Sequence, residues 1–204
     1  MLFLEPIYFY LVRNYATTIN HFALIKLALV ALDKTIFYFL IFAIGRLIWL
    51  LCIRHRRTIR SEAGVWIWAF YLILLFMFTT FRKSYFPWQI SLDLNRPLNQ
   101  INLVFMKETW KLIYGQSRID FLYNSFGNVL CFVPIGILTP IVFSKKMNFI
   151  RTLVFGIGLS LIIESLQFVL DTGVTDIDDV FFNTCGLILG YVIYKTFSRI
   201  KNIC

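Results

Sequence analysis

Five stretches of this chain are apolar enough, and long enough, to cross a lipid bilayer, and nothing else in the sequence restricts the fold so strongly. A hydrocarbon core about 30 Å thick takes about 20 consecutive apolar residues in a helix. Backbone polar groups find no water there and must pair within the segment. Runs at 63–81, 121–143, 149–170 and 179–197 meet this length. A run at 35–53 meets it too, provided that Arg46 faces protein or reaches toward the basic end. The expected fold class is therefore all-α: a polytopic membrane helix bundle with about five transmembrane helices plus short interfacial helices. Composition agrees, with 59% hydrophobic residues and a mean hydropathy of +0.73, against about 45–50% apolar in soluble domains.

Residues 1–34 read as an interfacial segment leading into the first span. MLFLEPIYFY is too short to span and has neither a basic start nor a cleavage site, so a short interfacial helix is expected and a removable signal peptide is not. Residues 21–34 are apolar apart from Lys26, Asp33 and Lys34, and no Gly or Pro interrupts 21–44, so the first span extends into a longer helix. The net charge of +9 lies in clusters between apolar runs. Nucleic acid is therefore not an expected partner. Arg54, Arg56, Arg57 and Arg60, then Lys145, Lys146 and Arg151, then Lys195, Arg199 and Lys201 alternate so as to share one side. The positive-inside rule makes that side, and the C-terminus, cytoplasmic. The N-terminus, 82–120 and 171–178 then lie outside. Within 82–120, INLVFMKETWKLIY carries helical spacing and reads as a short amphipathic helix. The four cysteines form no CxxC pair, so disulfides and structural zinc are not expected.

Polar residues inside the spans carry the functional signal, because a central Asp costs about 2.5–3.5 kcal/mol on insertion scales. Asn124 and Asn128 stand one turn apart. Gly156, Ser160, Glu164 and Gln167 share a helix face, as do Asp176, Asp179, Asn183, Gly186 and Gly190. All three stripes become more polar toward the same end, so packing these spans together would collect Asn124, Asn128, Glu164, Gln167, Asp176, Asp179 and Asn183 in one pocket. The small residues below would let the helices approach closely. Asp178 falls on a different face, as a first-turn stabiliser or loop contact. Against this stands the plainer reading that the aspartates cap a helix and the amides glue helices together. Capping does not require Glu164, however, and intramembrane carboxylates are functional candidates by default. Four carboxylates with amides are the oxygen donors of Ca2+ or Mg2+ sites, but EF-hand spacing is missing. No metal or cofactor is assigned. Glu164 and Asp179 could act as general acid and base, although no activated nucleophile is evident.

NSFGNVLCFVPIG (124–136), ESLQ (164–167) and TDIDDVFFNTCGLILGY (175–191) resemble the VanZ-like membrane proteins in content, order and gaps, over about 102–197. INLVFMKETW is similar to that family's segment before the third span, with Phe105 where a proline is usual. Gly173 and Val174 stand where some members carry an Arg. The resemblance implies a bacterial inner-membrane protein, in a family named after a member linked to resistance toward the glycopeptide teicoplanin. By position the family motif carries over to Asn128, Pro134, Gly136, Glu164, Gln167, Asp176, Asp178, Asp179, Asn183, Gly186 and Gly190. Gly136, Gly156, Gly186 and Gly190 are read as helix-packing positions. The expected function is a cell-envelope protein that binds a lipid-like or lipid-linked ligand in an outward-facing pocket and influences glycopeptide susceptibility. Its partners would be membrane lipids and a lipid-linked cell-wall precursor or glycopeptide. An intramembrane enzyme acting on an envelope lipid through Glu164 and Asp179, and a structural subunit of an envelope complex, stay open as alternatives.

Overall fold

A computed structural model of the chain describes residues 1–19, 21–52, 58–107, 109–110, 118–143 and 147–201, with the backbone alone at 118–124, 200 and 201. Its helices are α1 (Glu5–Tyr15), α2 (Phe22–Cys52), α3 (Ile59–Thr79), α4 (Arg118–Val142), α5 (Phe149–Val169) and α6 (Ile177–Lys201). All but α1 contain a segment long and apolar enough to cross a membrane. No strand occurs among the described residues, and one isolated parallel bridge joins Asn102 to Asp176. The all-α membrane bundle is thus the observed architecture. The basic residues Arg54, Arg56, Arg57, Lys145 and Lys146, which entered the orientation argument, lie outside the described residues.

Because lipid tails are as apolar as leucine, burial of apolar surface does little to hold such helices together, and close packing must do so instead. The tightest pair is α4 with α6. A Cβ built on Gly186 would collide with the Val129 carbonyl, one on Gly190 with the Val133 carbonyl, and one on Gly136 with the Leu187 carbonyl. These three glycines let two backbones touch. Gly156 instead makes room for the Leu187 side chain, which enters from α6. The core, Leu75, Phe132, Ile135, Leu159, Ile163 and Leu187, draws on α3 to α6 and on no residue of α2.

Helix α2 lies outside this core, against α3. Its 31 residues at about 1.5 Å each make it about 46 Å long, and the Arg46 guanidinium on it meets Glu62 of α3 through two bonds of 2.7 and 2.8 Å. Arg46 therefore faces protein. Asp33 and Lys34 are both fully buried. Asp33 accepts from the Leu2, Phe3 and Leu4 amides at 2.8, 2.7 and 2.7 Å and from the Tyr85 hydroxyl at 2.7 Å. Burial and this bond push the Tyr85 hydroxyl above its ordinary pKa. Lys34 Nζ donates to the Phe81, Arg82 and Ser84 carbonyls at 2.7, 3.1 and 2.8 Å. Two ions that would be prohibitive unpaired are thus spent on fixing the chain start and the turn after α3.

The connector from residue 80 to 107 corrects one expectation. Residues 101–104 of INLVFMKETWKLIY are not helical, since the Asn102 amide donates to the Thr175 carbonyl (2.9 Å) and the Ile177 amide to the Asn102 carbonyl (3.1 Å). The physical reason is satisfaction: the loop before α6 has backbone groups without helical partners, and Asn102 beside it supplies them. Lys107, Thr109 and Trp110 of that segment are helical, as expected, and Glu108 and residues 111–114 lie outside the described residues.

Replacing Gly190 by Val should lower the thermal midpoint of the purified protein, because overfilling a close-packed contact costs about 1–3 kcal/mol. Gly45→Ala, where no neighbouring atom lies within 4 Å, should leave the midpoint unchanged; equal behaviour of the two variants would remove the packing role assigned to Gly190.

Candidate functional site

The candidate site forms where α3 and α5 end, α6 begins and the connector crosses them. The first amides of α6 have no partners inside the helix, and carboxylates supply most of them. Asp176 Oδ1 accepts from the Asp178 amide at 2.9 Å and from Asn102 Nδ2 at 3.0 Å. Glu164 reaches across from α5 to accept from the Asp176 amide at 3.2 Å, while the Thr175 hydroxyl donates to the Glu164 carbonyl at 3.1 Å. Glu164 is therefore a cap supplied by the neighbouring helix, and it is almost fully buried. The positive end of the α6 dipole favours the charge gathered there.

Asp178 turns the other way. Its two oxygens accept from the Met106 amide at 2.6 Å and from the Thr109 amide and hydroxyl at 3.4 and 2.7 Å. These bonds tie the start of α6 to the connector. Met106 has φ of 62°, a left-handed conformation uncommon for its residue type, and the Asp178 contact pins it.

Asn128 donates through Nδ2 to Asp179 Oδ1 at 2.6 Å, and both residues are half-buried. One turn along α6, Asn183 Nδ2 donates to Ser160 Oγ at 2.8 Å. Asn183 is 3% exposed and its Oδ1 has no hydrogen-bond partner among the described residues. Gln167 Nε2 donates to the Thr79 carbonyl at 3.1 Å, tying α5 to the end of α3. The structure thus brings Asn128, Glu164, Asp176 and Asp179 to one place, with Asn183 deeper and Gln167 and Asp178 engaged by neighbours. The side chain of Asn124 lies outside the described residues.

One basic residue lies where α3 gives way to the connector. Arg82 follows α3 directly; its Nε donates to the Phe78 carbonyl at 3.0 Å. The residue is exposed, yet desolvation at the bundle surface lowers its guanidinium below the ordinary value, against the opposing pull of the Asp179 and Glu164 carboxylates. Sequence reasoning counted Arg82 only as a loop charge. The available signal was its position, the first basic residue after a span that ends level with Glu164 and Asp179.

The rest of the connector is fastened over the α5–α6 turn. Arg96 Nη1 donates to the Phe168 and Gly173 carbonyls at 3.1 and 3.2 Å, and its guanidinium lies 5.1 Å from the Phe168 ring centroid. Lys83 bonds the Asp171 carboxylate at 2.8 Å and holds it below the usual carboxylate range. A groove of about 170 Å³ opens elsewhere, between α2 and the connector, lined by residues including Tyr38, Phe81, Tyr85 and Pro87. Among the described residues no three His, Cys, Asp or Glu side chains are arranged to hold a metal ion.

Asp178→Ala should release the connector, raising tryptic cleavage after Lys107 by about tenfold in membrane vesicles, the equivalent of one lost charge-assisted hydrogen bond. Asp179→Asn should not change it. Equal cleavage in wild type and Asp178→Ala would show that the carboxylate does not hold this segment.

The VanZ/LLP1 family model matches residues 68–198. Protein VanZ of Enterococcus faecium is 32% identical over 134 residues, covering 66% of this chain and 74% of that protein. No solved structure matches the chain. The matched region runs from within α3 almost to the end of α6 and contains Arg82, the connector and every carboxylate of the cluster. The chain is a multi-pass membrane protein of the VanZ/LLP1 family.

Proposed function

We propose that this protein resides in the bacterial inner membrane with the connector end facing outward. There it binds the head of a lipid-like or lipid-linked envelope component and so influences glycopeptide susceptibility. The observation that supports this reading most is the half-buried Asn128–Asp179 pair at the connector end of the bundle. Hydrogen-bonding groups left half-buried at the end of an apolar bundle suit the polar head of an amphiphile whose tails lie along the spans.

Orientation rests on the opposite end, where Arg151, Lys195 and Arg199 follow the positive-inside pattern that makes the C-terminus cytoplasmic. Asp33 and Lys34, at the connector end, are cancelled by backbone partners and weigh little in that balance. The residues given binding roles are Asn128, Glu164 and Asp179, with Gln167 and Asn183 orienting the helices that carry them. Asp176 and Asp178 shape the entrance by holding Asn102 and Met106.

Glu164→Gln and Asp179→Asn, expressed separately to wild-type membrane levels, should each reduce teicoplanin tolerance of the host strain to that of the vector control. Wild-type tolerance in both variants would sink the assignment. Turnover of a purified envelope lipid that both variants lose would replace binding by catalysis, with the same two carboxylates as acid and base.

A further inference from the structure

The connector departs from what a loop in water carries. Trp88, Leu94, Leu98 and Leu103 are 78%, 77%, 74% and 73% exposed, and Val104 and Phe105 are more than half exposed. Single exposed apolar residues need no explanation, but large ones recurring along one segment mark a surface that meets something.

Ring contacts fix where its two ends lie. Phe86 packs edge-on against Phe37 of α2 with centroids 5.7 Å apart, and Trp88 stacks on Phe86 at 4.6 Å with planes 9° apart. Phe105 packs edge-on against Phe181 of α6 at 5.2 Å. Phe37 stands one turn past Asp33, and Phe181 lies in the second turn of α6. Both belong to segments long and apolar enough to cross a membrane. Helix α2 packs on α3, whereas α6 packs on α4 and α5, so the connector reaches two separate flanks of the bundle. Beside these contacts the spans expose apolar side chains of their own, Ile41 on α2 and Ile177 and Phe181 on α6.

The backbone at both ends suits that depth. Gln89 Oε1 accepts from the Tyr85 and Phe86 amides at 2.8 and 3.1 Å, Asn102 Oδ1 from the Val104 amide at 3.2 Å, and Asp178 from the Met106 amide at 2.6 Å. A non-helical segment beside lipid needs its amides paired within the protein, since hydrocarbon offers no partner. Tryptophan at one end matches the preference of that side chain for the membrane–water boundary.

We propose that the connector is a membrane-docking surface, with Trp88 near its start and Leu103, Val104 and Phe105 at its end inserted into the lipid leaflet. The partner is the lipid itself, because each anchor continues the lipid-facing side of a span. Arg96 holds the segment between them over the α5–α6 turn, so the two anchors grip the leaflet on either flank. Neither anchor uses Asn128, Glu164 or Asp179, and the proposal stands apart from the head-binding reading.

The full-length protein would be reconstituted into vesicles of phosphatidylcholine brominated on its acyl chains, with plain phosphatidylcholine vesicles as reference. Wild type minus Trp88→Phe gives the emission of Trp88, and Phe105→Trp minus wild type reports the other end. The expected result is loss of emission at both positions in brominated vesicles, greater with bromine near the headgroup than near the chain ends, and little loss with aqueous acrylamide. Should Trp88→Phe shift the thermal midpoint, Trp88→Tyr takes its place in the subtraction. Quenching by acrylamide alone would put the connector in water and overturn the proposal. Protection from both quenchers would put protein over it, in a purified system a second copy, and would overturn it as well. Loss of emission at one position only would overturn the two-flank grip.

Discussion

The Glu164 carboxylate accepting from the Asp176 amide is the contact on which the connector end depends. It joins α5 to the start of α6 at the point where a helix within a membrane is most in need of outside partners. With that amide held, Asp176 is free to organise Asn102 and the Asp178 amide, and Asp178 in turn fixes Met106 and Thr109. The carboxylates therefore work as a relay of caps, each satisfying backbone groups of the next segment. The Asp179 carboxylate stands outside this relay, bonded to Asn128 across the α4–α6 seam.

The glycine seam and the polar cluster are two parts of one geometry. Gly136, Gly186 and Gly190 draw α4 and α6 into backbone contact, and that closeness continues to the level where Asn128 reaches Asp179. A separate ion system supports the other side. Lys34 of α2, which lies outside the region matched by the family, holds the turn that carries Arg82. The long first helix is thereby coupled to the connector without contributing a residue to the core.

Much of the bundle was legible because its determinants are local. Hydropathy over about 20 residues marks a span, and periodicity of three and four places Glu164, Asp179 and Asn183 on definite faces. What spacing could not supply was pairing between distant segments. Asn102 beside Thr175 and Asp33 beneath the chain start are contacts across tens of residues, and neither leaves a periodic trace. The apolar rhythm of INLVFMKETWKLIY favoured a helix, yet residues 101–104 are not helical because the loop before α6 needs the backbone groups of Asn102. Tertiary satisfaction overrode local propensity there.

The central claim is that the Asn128–Asp179 pair marks the place where the head of an amphiphile meets the connector end of the bundle. An experimental structure of the full-length protein in a lipid nanodisc tests it most directly. The account predicts headgroup density against Asn128 and Asp179. A site packed shut, with no density against this pair, would contradict it.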